Sequence, residues 1–184
     1  DSLMANAVEP TLAALRGRGI DYRGVLYCGL MFTPDGPRVL EYNVRFGDPE
    51  AQVVLPRMAS SLADLLAAAA EGSLGAAPEF DGGAAVTVVC ATDGYPASPR
   101  TGDPIHGLEE ANALDDVTVL CAGVGGSDGR LTTAGGRVLA VTGQGPSVAA
   151  ARDRAYAGAG AISWTGIQRR TDIAAAPTPV DAAE

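Results

Sequence analysis

The stretch Val39-Leu40-Glu41-Tyr42-Asn43-Val44-Arg45-Phe46-Gly47-Asp48-Pro49-Glu50-Ala51-Gln52 constrains this chain more than any other. It opens as a strand, because Val39 and Leu40 follow the turn Pro34-Asp35-Gly36-Pro37 and the apolar run upstream supplies a strand to pair with. Side chains two apart on a strand leave the sheet on one face, so Glu41, Asn43 and Arg45 share a face if the strand runs on. Gly47 and Pro49 then end the ladder and leave Asp48 and Glu50 in a loop just beyond it. A carboxylate beside an amide oxygen suits a hard cation that also holds phosphate oxygens, which is how Mg²⁺ is usually bound. Arg45 adds a planar fork of donors for a neighbouring anion. The same alternation also fits one exposed face of an edge strand with Asp48 capping the next helix, and spacing alone leaves both readings open.

Upstream, residues 5–15 carry apolar side chains at helical spacing, with Gly17 and Gly19 as stop signals. Residues 25–32 and 38–44 read as an antiparallel pair, and 50–58 and 62–71 as helices, the second ended by Gly72. The Gly, Pro and Ala of 72–83 mark the best boundary in the chain. Beyond it, strands are expected at 84–90, 105–108, 117–122 and 135–142. A hairpin turn at 127–129 leads into 130–133, and a helix starts at Pro146 and runs to about Gly158. A few strands followed by one helix predict a small α+β domain. The expected organisation is therefore 1–75, then 84–174, then a disordered tail of Ala, Pro, Thr and acid over 175–184.

Composition narrows the function classes. The net charge is −9, and all thirteen basic residues are arginine, which argues against a nucleic-acid or anionic-membrane partner. Any phosphate must be met locally, by arginines, backbone amides or a metal. No apolar run approaches the length needed to span a bilayer and no basic-then-apolar leader opens the chain, so a soluble cytoplasmic protein is expected. Cys28, Cys90 and Cys121 are an odd number in apolar, strand-like surroundings and read as buried free thiols. His106, the one histidine, has no second histidine to pair with and reads as structural or surface.

Tyr22-Arg23-Gly24-Val25-Leu26-Tyr27-Cys28-Gly29-Leu30-Met31, followed by the stretch above and by Gln52-Val53-Val54-Leu55-Pro56, closely resembles the phosphoribosylamine–glycine ligase (glycinamide ribonucleotide synthetase) family of the ATP-grasp superfamily. Glu-x-Asn-x-Arg is shared widely among ATP-grasp ligases; the continuation Phe46-Gly47-Asp48-Pro49-Glu50 is what points to this family. The second half resembles the C-terminal domain of the same family. Its motifs are Gly94-Tyr95-Pro96, Gly102-Asp103-Pro104-Ile105-His106-Gly107-Leu108, Thr133-Ala134-Gly135-Gly136-Arg137-Val138-Leu139, Ala151-Arg152-Asp153-Arg154-Ala155-Tyr156 and Arg170-Thr171-Asp172-Ile173. The likeness runs over about residues 5–174.

The resemblance implies the C-terminal lobe of an ATP-grasp domain, an antiparallel sheet with helices, followed by a small α+β domain. It implies ATP and Mg²⁺ (or Mn²⁺) as cofactors, glycine and 5-phosphoribosylamine as substrates, and a place in purine biosynthesis. Glycine is phosphorylated to glycyl phosphate, and the amine displaces phosphate to give glycinamide ribonucleotide. Carried over to this chain, Glu41 and Asn43 are metal ligands and Leu40 packs against the adenine. Arg45, Asp48 and Glu50 are catalytic, and Arg45, Asp48, Arg100 and Arg137 bind substrate, Arg137 through the ribose 5-phosphate. The resemblance also makes the chain the C-terminal part of a longer enzyme, without the amino-terminal domain and glycine-rich lid and inactive alone. The alternatives are a non-catalytic fragment and another ATP-grasp carboxylate–amine ligase. Two departures stand out. Ser98-Pro99-Arg100-Thr101-Gly102 replaces the family's Tyr-Glu-Lys-Gly, and the first strand offers only Cys28 and Gly29 where many ATP-grasp enzymes place a further acidic ligand.

Overall fold

Pro34 and Asp35 form a two-residue loop that folds β1 (Tyr27–Thr33) back on β2 (Gly36–Asn43), with the Thr33 hydroxyl donating to the Gly36 carbonyl at 2.8 Å. The computed structural model describes residues 2–127 and 129–175. They divide into two units, one made of Asp1–Ala51 and Met58–Phe80, the other of Gln52–Arg57 and Asp81–Glu184. Both combine helices with antiparallel strands, so the class is α+β.

The first unit holds the hairpin, a helix before it and a helix after it. Met4–Val8 winds as a π-turn into α1 (Glu9–Gly17). Pro10 has no N–H to give, and the widened turn before it lets the Glu9 N–H reach the Met4 carbonyl. The Tyr42 hydroxyl donates to the Ala7 carbonyl at 2.7 Å and ties this helix to one face of the hairpin. The ladder runs Tyr27 opposite Asn43, Cys28 opposite Tyr42 and Gly29 opposite Glu41, and then slips, so that Leu30 faces Val39 and Leu40 is the extra residue of a β-bulge. The expected helix at 50–58 is shorter in the structure. It is α-helical only over α2 (Ala51–Val54) and tightens to a 3₁₀ turn at Leu55–Arg57, because Pro56 cannot donate to a continuing helix. Within the first unit, α3 (Leu62–Glu71) has the bounds its sequence predicts. Ser61 caps its start by accepting from Asp64 N–H, and Gly72 ends it at φ 74° with Arg23 Nη1 on the Ala70 carbonyl at 2.7 Å.

The second unit is built on a three-stranded antiparallel sheet in the order β3 (Ala84–Ala91), β7 (Arg137–Gly145), β4 (Val117–Cys121). The helix α5 (Val148–Ala161) lies on it, capped by Ser147 accepting from Ala150 N–H. Ala151, Ala155 and Ala159 of α5 are fully buried against Val88, Val138 and Val141. The approach is close enough to require glycine on both sides: a Cβ on Gly158 would stand 2.7 Å from Val117 Cγ1, and one on Gly143 would stand 2.4 Å from the Ala155 amide nitrogen.

Two expectations are corrected here. Residues 105–108 are not a strand: single bridges at Pro104 and His106 lead to Gly107 at φ 83°, which starts the short helix α4 (Leu108–Asn112). Glu109 and Glu110 in its first turn favour the helix over an extended run. β6 (Arg130–Thr133) is the second arm of the expected hairpin; its first arm is β5 (Val124–Ser127), while β4 pairs with β7. The cysteines are free, but only Cys90 is buried; Cys28 is partly covered and Cys121 is exposed at the end of β4, an outer strand of the sheet. Apart from Ala175, the expected tail lies outside the described residues. No helix among the described residues is long and apolar enough to cross a membrane.

Two glycines of α5 separate packing from propensity. Gly158 has no room for a methyl, whereas Gly160 is exposed with nothing within 4 Å of an added Cβ. Gly158→Ala should destabilise by about 1–2 kcal/mol, and Gly160→Ala should stabilise by up to ~1 kcal/mol. Urea unfolding followed by the fluorescence of Trp164, the single tryptophan and a buried one, reads both signs.

Candidate active site

The hairpin face away from Tyr42 opens a cleft of about 420 Å³, lined by Tyr27, Gly29, Leu40, Glu41, Asn43, Arg45, Gly47, Asp48 and Glu50. Strict alternation would send Leu40 and Glu41 to opposite faces. The bulge lets both reach the same cleft, which puts an apolar surface beside the carboxylate. Asn43 Nδ2 donates to Glu41 Oε1 at 2.8 Å, which turns the amide oxygen of Asn43 away from the carboxylate. β2 ends at Asn43, so Arg45 is not on the strand face as alternation predicts. It lies in the bend after the strand, yet it still lines the cleft, with Nη1 anchored on the Phe46 carbonyl at 2.8 Å.

Glu50 is brought back over the loop by two features that sequence reasoning missed. Gly47 is buried, and a Cβ there would lie 2.1 Å from Glu50 Oε2, so any larger residue would evict the carboxylate. The Tyr27 hydroxyl donates to Glu50 Oε1 at 3.0 Å. Burial first, and then the hydrogen bond to Glu50, raise the Tyr27 phenol above its ordinary value and keep it a donor. The signal for Tyr27 was available: it stands two residues before Gly29 and pairs with Asn43, in phase with the face that carries the polar groups.

The donor set can be tested against a divalent metal. Among the described residues no group of three or more His, Cys, Asp or Glu could hold one. The Glu41 carboxylate and the Asn43 amide oxygen are hard donors that would fit a Mg²⁺ taking its remaining ligands from phosphate and water rather than from a protein cage.

Arg100 and Arg137 belong to the second unit. Arg100 Nη2 meets Asp103 Oδ1 at 2.7 Å; its side chain is half exposed, while that of Asp103 is buried. Arg137 opens β7 and lines a cavity of about 400 Å³ with Tyr95, Gln168, Arg169 and Arg170. Gly136 makes room there, since a Cβ would stand 2.3 Å from the Tyr95 ring. Arg169 also stands near the buried thiol of Cys90, which burial pushes up to about 11 despite the arginine's lowering effect. The adjacent pair Arg169 and Arg170 carried no role in the sequence reading.

Residues 85–176 match the phosphoribosylglycinamide synthetase C domain, and residues 1–51 match the ATP-grasp (A) domain of the same synthetase. The chain belongs to the phosphoribosylglycinamide synthetase family. It is 48% identical over 179 residues to the phosphoribosylamine–glycine ligase of Streptomyces coelicolor, covering 95% of this chain and 43% of that protein. The ligase of Synechocystis is also 48% identical, over 94% of this chain and 42% of its own length. Less than half the length of these synthetases is therefore spanned. The crystal structure of phosphoribosylamine–glycine ligase from Thermotoga maritima is similar with a TM-score of 0.77 at 37% identity, over 89% of this chain and 40% of that one. N5-carboxyaminoimidazole ribonucleotide synthetase from the same organism shares the fold, with a TM-score of 0.60 at 17% identity, over 89% of this chain and 43% of its own.

A spectrophotometric tyrosinate titration tests the contact that seats Glu50. Tyr27→Phe should remove a phenol that ionises above the ordinary range, and Glu50→Gln should move that phenol back down. An unchanged late step in both variants would mean that the two side chains do not meet.

Proposed function

We propose that this chain carries the metal–phosphate face and part of the substrate-binding face of an ATP-dependent ligase that joins glycine to 5-phosphoribosylamine. The observation that carries the reading is the convergence of Glu41, Asn43, Arg45, Asp48 and Glu50 on one cleft beside Leu40. The family membership and the relatives' names support the reaction.

In this reading Glu41 and Asn43 hold Mg²⁺ or Mn²⁺, and the bound ion supplies charge neutralisation to the ATP phosphates. Leu40 offers an apolar surface to the adenine. The glycine carboxylate attacks the terminal phosphorus of ATP, forming an oxygen–phosphorus bond as ADP leaves. Arg45, a fixed fork of donors anchored through the Phe46 carbonyl, stabilises the negative charge on the transferred group. The amine of phosphoribosylamine then attacks the acyl carbon, and phosphate departs as the amide forms. Asp48 and Glu50 orient the glycine ammonium and the incoming amine, and the Tyr27 hydrogen bond keeps Glu50 an acceptor pointed into the cleft. The ribose 5-phosphate is met by Arg137 in its arginine-lined cavity, and Arg100 is a further substrate-binding arginine.

A graft provides the test: this chain replaces the matching part of the Streptomyces coelicolor ligase, and ADP formation dependent on both substrates is followed. Glu41→Gln in the graft should lower turnover by on the order of a hundredfold or more, whereas Asn43→Asp, which keeps an oxygen at the metal, should retain most of it. Arg137→Ala should raise KM for phosphoribosylamine about ten- to a hundredfold with KM for ATP and glycine nearly unchanged. Normal turnover of Glu41→Gln at limiting Mg²⁺ would reduce the strand face to a structural one.

A further inference from the structure

Two of the sequence motifs have no part in the chemistry above: Arg152 and Tyr156 on α5, and the run Arg170 to Ile173 near the end of the described chain. The structure joins them. Arg152 Nε donates to the Ile173 carbonyl at 3.0 Å and Nη2 to the Thr171 carbonyl at 2.8 Å. The Tyr156 hydroxyl donates to the Arg170 carbonyl at 2.9 Å and accepts from the Ile173 N–H at 3.1 Å. The Arg152 guanidinium lies 4.6 Å from the centre of the Tyr156 ring, so the two side chains brace each other. On the other side of the arginine pair, Gln168 exchanges backbone hydrogen bonds with Ala91, both at 2.8 Å. Arg169 and Arg170 are thus held on both flanks, by strand β3 before them and by helix α5 after them.

We propose that Arg152 and Tyr156 are positioning residues that hold the Gln168–Ile173 backbone so that Arg169 and Arg170 line the Arg137 cavity already ordered for a phosphomonoester. This rests on the reading of that cavity as the sugar-phosphate subsite. Neither clamp residue lines the cavity. Their contacts go to main-chain groups, so what they fix is the backbone from which the two arginine side chains project; the Arg170 guanidinium is itself held by the Asp172 carboxylate through Nε and Nη2. A fork of donors gains most when its geometry is set before the anion arrives, because less side-chain and backbone freedom is lost on binding. Tyr156 is the sharper probe of the two. Phenylalanine keeps the ring under Arg152 and removes only the two hydrogen bonds to the arginine segment.

The test uses the complete 184-residue chain and ribose 5-phosphate as the probe, with dissociation constants from calorimetry and folding checked by circular dichroism at the same temperature. Tyr156→Phe should weaken binding about three- to tenfold while the protein stays folded, and Arg152→Ala should weaken it about tenfold. Arg152→Lys, which leaves a cation over the ring but lacks the fork that reaches two carbonyls, should fall between wild type and Arg152→Ala. Arg137→Ala and Arg169→Ala report separately on the cavity. If those two variants bind as wild type does, or if wild type does not bind, the subsite reading fails and the clamp fails with it. If they lose binding while folded Tyr156→Phe and Arg152→Lys bind as wild type does, the cavity stands and the clamp is overturned, leaving Arg152 and Tyr156 to stability alone. Should Tyr156→Phe fail to fold, Arg152→Lys decides between the same two outcomes.

Discussion

One slipped residue in a hairpin governs the candidate site. Where Gly29 pairs with Glu41, the next pair is Leu30 with Val39, and Leu40 has no partner of its own. Without that slip, Leu40 and Glu41 would face opposite ways, and the cleft would hold either the apolar surface or the carboxylate. With it, an apolar side chain, a carboxylate and an amide stand together on one wall, a combination suited to a nucleotide with its metal-bound phosphates. The other wall depends on absence of bulk. Gly29 leaves the face opposite Glu41 low, and Gly47 is where the Glu50 carboxylate folds back against main chain.

The two units hold themselves together differently. The second has a buried apolar core in which a helix of small residues lies against the central strand, and Gly143 and Gly158 set how close the two come. In the first, Ala7 and Ala69 are the buried apolar side chains among the described residues, and Phe32, Leu40 and Val44 are mostly exposed. Its order comes from hydrogen bonds: the ladder of the hairpin, Tyr42 on the Ala7 carbonyl, Arg23 on the end of α3, and Tyr27 on Glu50. Hydrogen bonds are directional, whereas apolar burial is not, so a unit organised this way fixes the aim of its polar side chains more than it adds stability.

Much of this was legible in the sequence where a local rule decides the structure. The helix Leu62–Glu71 has a serine before it and a glycine after it, and the structure uses both. Glu41 and Asn43 share a face because they stand two positions apart on a strand, with Tyr42 between them. Rules of alternation failed where the chain departs from regular geometry. Arg45 reaches the cleft from a bend rather than from the strand, and Leu40 reaches it through a bulge that no local pattern announces. The run at 105–108 was misread because Gly107 turns the chain into a helix whose acids sit at its start, a feature a short apolar run hides. Cys121 was misread because which strand lies at the side of a sheet is a property of topology, fixed by pairings distant in sequence. The clamp on Arg170 to Ile173 joins residues 14 to 21 apart through main-chain carbonyls, and nothing in side-chain spacing signals such contacts.

The central claim is that the bulged face of the hairpin receives a metal-bound phosphate. The most direct measurement is the nuclear magnetic resonance spectrum of the isotope-labelled chain titrated with ADP and Mn²⁺, whose unpaired electrons broaden nearby signals. The account predicts nucleotide-dependent broadening centred on the side-chain amide of Asn43 and the backbone amides of Gly29 and Gly47. Broadening that left these signals sharp and appeared instead at other acidic residues, such as Asp81 or Asp116, would contradict it.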